Sequence, residues 1–271
     1  MDPALSKAGA RLLRIFFMLV VVFLYAPIVI LLIFSFNNSQ IPSFPLSGFT
    51  LHWYHQFLTN SDLQAALQTS GEVAAVSSVG AVALGILASL ALARRTFVGK
   101  SPATALLLSP LVIPYVVLGV SLLLLFQRLG IGLGITTIVI GHIVLSLPYA
   151  ILVLMPRLQQ IDVSLEEAAY DLGASRFRTF RSIVFPLILP AVVSAYLIAF
   201  TTSFDEYAVA SFVKGSTTTF PIYLYSAVRF PNNLPQVIAV AVVVMILTLV
   251  VVVGAEISRR VAERRIGELA S

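Results

Sequence analysis

Six runs of about 20 or more apolar residues, roughly 15–36, 72–93, 103–126, 134–155, 187–211 and 236–257, occupy most of this chain. The hydrocarbon core of a bilayer is about 30 Å thick and a helix rises about 1.5 Å per residue, so each run is long enough to cross it. In lipid every backbone N–H and C=O must be paired within the protein, which makes the helix the form such runs adopt. The expected fold is all-α, a polytopic membrane protein with six transmembrane helices. Only 11% of the 271 residues are charged, against about a quarter in soluble domains, so a soluble globule is excluded. The first run exceeds the usual apolar core of a signal peptide, and Ser35-Phe36-Asn37-Asn38 has no small-x-small cleavage pattern; it is read as a retained helix.

The charges fix the expected orientation. Lys7, Arg11 and Arg14 precede the first run, Arg94, Arg95 and Lys100 follow the second, Arg157, Arg176, Arg178 and Arg181 follow the fourth, and Arg259, Arg260, Arg264 and Arg265 follow the sixth. Arg128, Lys214 and Arg229 alone fall on the other side. Cytoplasmic loops hold the Lys and Arg excess, so the N and C termini are expected in the cytoplasm. The net charge of +5 belongs to these membrane flanks, and nucleic acid is set aside as a partner. With no cysteine, thiolate metal sites, disulfides and thiol nucleophiles are excluded. His142, in the fourth run, has no second ligand-type neighbour in the sequence and reads as a helix–helix hydrogen-bonding residue. In the first outer loop, Trp53-Tyr54 suits a short helix anchored at the membrane interface. Pro110, Pro114, Pro148 and Pro190 are expected to kink or end helices.

The loop between the fourth and fifth runs carries the most information. Asp162 to Pro186 reads as two short helices with a break between them. Ser164 stands three residues before Glu167, the spacing of a capping box, and Gly173 ends the helix. Leu165, Ala168, Ala169 and Leu172 share one face, with the alanines allowing close approach. Ser175 can cap a second helix whose apolar side is Phe177, Phe180 and Val184. The first helix's apolar face either packs on the protein's own membrane helices or docks into a groove on a partner, and physics alone weighs these equally.

Glu167-Ala168-Ala169, then Gly173, Ile183, Phe185 and Pro186 at their spacing, resemble the EAA motif of permease subunits of bacterial binding-protein-dependent ABC importers. Phe185 stands where that pattern has leucine. The first run, Gly48-Phe49-Thr50, Trp53-Tyr54, Ser203-Phe204-Asp205-Glu206 and Tyr225-Ser226-Ala227-Val228 extend the similarity to the spermidine/putrescine type, over nearly the whole chain. The resemblance implies the type I importer permease fold. It also implies a segment 1–66 with the first helix and a periplasmic loop, a permease core over 67–258 holding the coupling loop 157–186, and a cytoplasmic tail over 259–271. By the same resemblance Glu167, Ala168, Ala169, Gly173, Ile183 and Pro186 couple to an ATPase. The chain is then half of a translocation pathway in the bacterial inner membrane. Its implied partners are a homologous second permease, two ATPase subunits, a periplasmic substrate-binding protein and the lipid bilayer. No cofactor is expected on this chain; ATP and Mg belong to the ATPases.

Asp205 and Glu206 lie near the outer end of the fifth run, where two carboxylates would favour a cation in a translocation path. Adjacent helical positions point about 100° apart, so one acid is expected to face the path while the other packs or pairs. Tyr207, Tyr223 and Tyr225 are the candidates for stacking on an alkyl-ammonium chain, with Tyr225, in the family-like segment, the one to test first. The expected cargo is a polyamine or related small amine, with an opine, amino acid or aminophosphonate as the alternative within the same class. A self-sufficient secondary transporter is disfavoured by the absence of an evident repeat, and a membrane enzyme by the absence of a catalytic constellation. Gly99-Lys100-Ser101 is not a phosphate loop, because the required first glycine falls on Arg94.

Overall fold

The computed structural model describes residues 7–230 and 233–269. Residues 1–6 of the first expected segment and 270–271 of the tail lie outside the described residues. The chain divides into two compact units, Met1–Ser61 with Ser226–Leu247, and Asp62–Tyr225 with Thr248–Ser271.

In the first unit, α1 (Lys7–Ser35) is exposed along almost its whole apolar length, as a helix made to face lipid or another subunit would be. A loop follows, pinned by the antiparallel bridge between Asn37 and Phe49, and leads to α2 (His52–Thr59). Trp53 is buried and its indole N–H donates to Asn37 O at 2.9 Å, while Tyr54 donates its hydroxyl to Ser35 Oγ at 2.7 Å. The expected short helix is present, but its tryptophan fastens the loop from inside and is no exposed interface anchor. The helix α12 (Leu234–Leu269) starts in this unit, which holds it as far as Leu247, and continues without a break past the end of the sixth apolar run.

The second unit is built around one helix. Its elements are α3 (Ser61–Arg94), α4 (Lys100–Leu108), α5 (Tyr115–Arg128), α6 (Ile135–Gln159), α7 (Val163–Asp171), α8 (Arg176–Thr179), α9 (Phe185–Phe204), α10 (Ala208–Val213) and α11 (Phe220–Ala227). Three buried clusters line α6. Ile138 and Leu145 meet Val73 of α3, Leu118, Leu122 and Phe126 of α5 and Val209 and Val213 of α10. Ala150 and Leu154 meet Val82 of α3 and Ala195 of α9; Leu158 meets Val184 and Ile188. Close approach is paid for in side-chain size: a Cβ on Gly85 of α3 would stand 2.8 Å from Ala150 Cβ.

Four helical segments among the described residues are long and apolar enough to cross a membrane: Gly9–Ser35, Ser61–Arg94, Ile135–Gln159 and Arg176–Phe204. The sixth run appears as the shorter apolar segment Leu234–Val250. Two expected spans differ from the sequence reading. The 103–126 run is two helices, Lys100–Leu111 and Tyr115–Arg128, meeting at 106°. Pro110 and Pro114 explain the break, since neither supplies an N–H and Pro114 forces the residue before it out of the helical region. The 187–211 run also fails to continue as one helix, ending at Phe204 and resuming as α10 after Asp205, Glu206 and Tyr207. At its other end the rod is longer than expected, because α8 runs through a π turn (Phe180–Val184) into α9. Pro186 falls just after the π segment, where the regular i→i−4 ladder of the rod is already interrupted.

Candidate functional site

Two places on the second unit carry the candidate residues, one at each end of the Arg176–Phe204 rod. The first is α7 with its flanks. Asp162 is its cap: the carboxylate accepts the Ser164 N–H at 3.0 Å, and that bond holds the Asp162 carboxyl below its ordinary value. Ser164 itself lies inside the helix, so the expected capping box begins two residues too late. At the other end Gly173 takes φ +81°, its N–H donates to Tyr170 O at 2.9 Å, and the Ala174 N–H donates to Ala169 O at 2.9 Å. This is a Schellman close, and it requires a left-handed residue at position 173. Ser175 then caps α8 as expected, accepting from Arg178 N.

With both ends satisfied, α7 has no polar reason to seek a partner, yet its apolar face is bare. Leu165 is 46% exposed and Leu172 89% exposed, with Ala168 exposed and Ala169 half-buried between them. Of the two openings left by the sequence, packing on the protein's own membrane helices is not the arrangement seen. Glu167 also stands in the open, whereas its neighbour Glu166 pairs with Arg94 at 2.8 Å. Ile183 and Pro186 are set apart from Glu167, Ala168, Ala169 and Gly173, in the π turn and the first turn of α9. Arg157 Nε donates to Leu187 O at 3.2 Å and ties that turn to the end of α6.

The second place is the interruption between α9 and α10. Asp205 and Glu206 are not successive helical residues but the two halves of a break. Asp205 is exposed at the C-cap of α9. Glu206 is buried, and its carboxylate reaches over Tyr207 to accept the N–H groups of Val209 at 2.8 Å and Ala210 at 2.9 Å. Its Oε2 is also 3.4 Å from His142 Nε2. On the far side of the ring, His142 Nδ1 is 2.7 Å from Ser203 Oγ, which is 2.9 Å from Ser77 Oγ. Nδ1 shares a hydrogen bond with Ser203, while Nε2 lies beside the carboxylate without a hydrogen bond to it. The cluster thus joins α3, α6 and α9 around the break. His142 is the interhelical hydrogen-bonding residue its isolation suggested, while Ser77 went unnoticed because a serine in an apolar run has no signature until its partner is known. Tyr207 and Tyr225 are brought together, with ring centroids 4.7 Å apart, although 18 residues separate them in sequence.

A family described as the binding-protein-dependent transport system inner membrane component matches residues 81–267. The chain belongs to this family. This inner membrane component is 38% identical over 252 residues to the spermidine/putrescine transport system permease protein PotC of Escherichia coli (strain K12), covering 92% of this chain and 95% of the relative. It is 37% identical over 231 residues to the putrescine transport system permease protein PotI of the same organism, covering 82% of each. Among solved structures, a bacterial ABC transporter involved in import of the acidic polysaccharide alginate superposes with a TM-score of 0.72 at 15% identity, covering 93% of this chain and 99% of that one. The MetNI methionine ABC transporter gives 0.58 at 19% identity over 74% and 95%. These two likenesses are of fold; the two relatives establish a shared sequence over nearly the full chain.

Proposed function

We propose that the chain is one permease subunit of an ATP-driven importer in the bacterial inner membrane, forming half of a translocation pathway for putrescine, spermidine or a related small amine. The observation that carries the mechanism is α7, closed at both ends and bare on its apolar face, at the position of the EAA resemblance. An ATPase subunit provides the groove that covers Leu165, Ala168 and Leu172, with Glu167 beside it and Gly173 fixing the angle at which the helix leaves. ATP and Mg sit on two such ATPases. Their closure draws this helix toward its counterpart on a second, homologous permease and opens the path outward; hydrolysis resets it. A periplasmic binding protein delivers the cargo; the excess of Lys and Arg around α7 supports its lying on the cytoplasmic, ATPase side.

The cargo class follows from the named relatives and from the break after α9. Asp205 is the acid that meets the cation, and Tyr207 and Tyr225 offer paired ring faces, each worth about 0.5–2 kcal/mol to an ammonium group. Glu206 holds the break in shape. The test is reconstitution with both ATPases, the second permease and the binding protein, reading ATPase stimulation by putrescine, spermidine, a neutral amino acid and an acidic opine. Stimulation confined to the polyamines is expected; stimulation by the zwitterion or the acid alone would remove the amine cargo and leave the importer.

A further inference from the structure

Arg94 differs from the arginines that follow α7 in the chain. Arg176, Arg178 and Arg181 are exposed, whereas the Arg94 side chain is 16% exposed and its Nη2 is 2.8 Å from Glu166 Oε1 and donates to Ile161 O at 3.1 Å. Ile161 immediately precedes the Asp162 cap, and Glu166 lies in the first turn of α7. One guanidinium, on the last residue of α3, therefore holds the start of α7 at two points.

The helix that carries Arg94 is suited to pass on a displacement. Its 34 residues contain no proline, which at about 1.5 Å per residue gives an unbroken rod of about 50 Å. Gly80 lets it approach the Ile143 side chain of α6, and Gly85 seats it against Ala150 without room for a Cβ. Toward its other end Ser77 bonds Ser203, in the cluster around Glu206, and Ser70 Oγ accepts the Phe220 N–H at 2.8 Å at the start of α11, the helix that carries Tyr225. Both regions singled out above are thus attached to the same rod.

We infer that Arg94 is a positioning residue that clamps α7 to α3 through Glu166 and Ile161, so that α3 carries the movement of the coupling helix to the Ser77–Ser203 contact and the Glu206 break. The two adjacent acids of α7 divide the work: Glu166 faces inward to the rod, and Glu167 is left for the partner. This inference rests on the coupling role proposed above for α7.

The test compares the reconstituted complex with R94Q, E166Q and the exchanged pair R94E/E166R. Putrescine imported per ATP hydrolysed falls by about threefold or more in each single variant, while ATP hydrolysis and subunit assembly persist, and the exchanged pair recovers above either. An unchanged ratio in both single variants overturns the clamp. A second readout does not depend on cargo. The chain has no cysteine, so spin labels on L87C of α3 and D171C of α7 are unique within it, and in a complex assembled with cysteine-free partner subunits their distance distribution is narrow in the otherwise native chain and broadens in R94Q and E166Q. Equal distributions overturn the inference even if the wild-type complex imports no putrescine, an outcome that would count against the amine cargo alone. Should R94Q fail to assemble, E166Q, altered at a partly exposed position, decides by the same two measurements.

Discussion

The breaks at the two ends of the Arg176–Phe204 rod are built in opposite ways. At Leu172–Ala174 the backbone closes on itself, the polar groups are used up locally, and leucines are left in the open. At Asp205–Tyr207 the apolar residues pack inward and the polar group is buried: Glu206, 5% exposed, has spent its carboxylate on two backbone N–H groups beside His142. A bare apolar face on a finished helix leaves apolar area that nothing among the described residues covers, the basis of the docking role proposed for it. A buried carboxylate with its acceptors engaged marks a structural joint, and directs attention to the exposed acid beside it.

That contrast can be broken by mutation. The largest effect is expected from Glu206→Ala, which orphans two buried backbone donors and should cost on the order of 3 kcal/mol, read as a lower melting temperature of the purified protein. Asp205→Asn should leave the melting temperature within error and lower polyamine uptake; if the two variants behave alike, the joint and the cargo acid have not been told apart. Gly173→Val comes next, since a β-branched residue at φ +81° costs about 1–2 kcal/mol of local strain. Hydrogen exchange should show α7 loosened while α6 stays protected. Leu172→Ser should leave folding alone and reduce capture of the ATPase subunits on co-purification. The smallest effect is electrostatic. Because Asp162 titrates below its ordinary value of 3.8 in the folded chain, its cap is fully formed above that pH and is lost as pH falls through the lowered value. Exchange at the Ser164 amide should therefore rise relative to neighbouring amides only in strong acid, and Asp162→Asn should remove that dependence while keeping the cap.

Legibility differed between the two ends for a physical reason. Capping and helix-stop signals are local, so Gly173 and Ser175 announced their roles, and the error at Ser164 was one of two residues because Asp162 offers the same kind of acceptor. The amphipathic face of α7 was equally plain, but whether it was covered was not, since that depends on where the neighbouring helices lie. At the other end, the acid pair was visible as a pair; its division into a buried joint and an exposed acid depends on His142, Ser203 and Ser77, which come from three helices.

The sequence by itself determined that this chain lives in a bilayer, that it is helical, and where the short capped helix α7 closes, because apolar run length and local hydrogen-bonding motifs need only near neighbours. Tertiary structure decided that the 103–126 run bends through 106°, that α9 stops before its acids, and that Arg94 reaches Glu166 across 72 positions of chain. Such outcomes are set by which helices pack around α6, and no stretch of sequence read alone contains that contact.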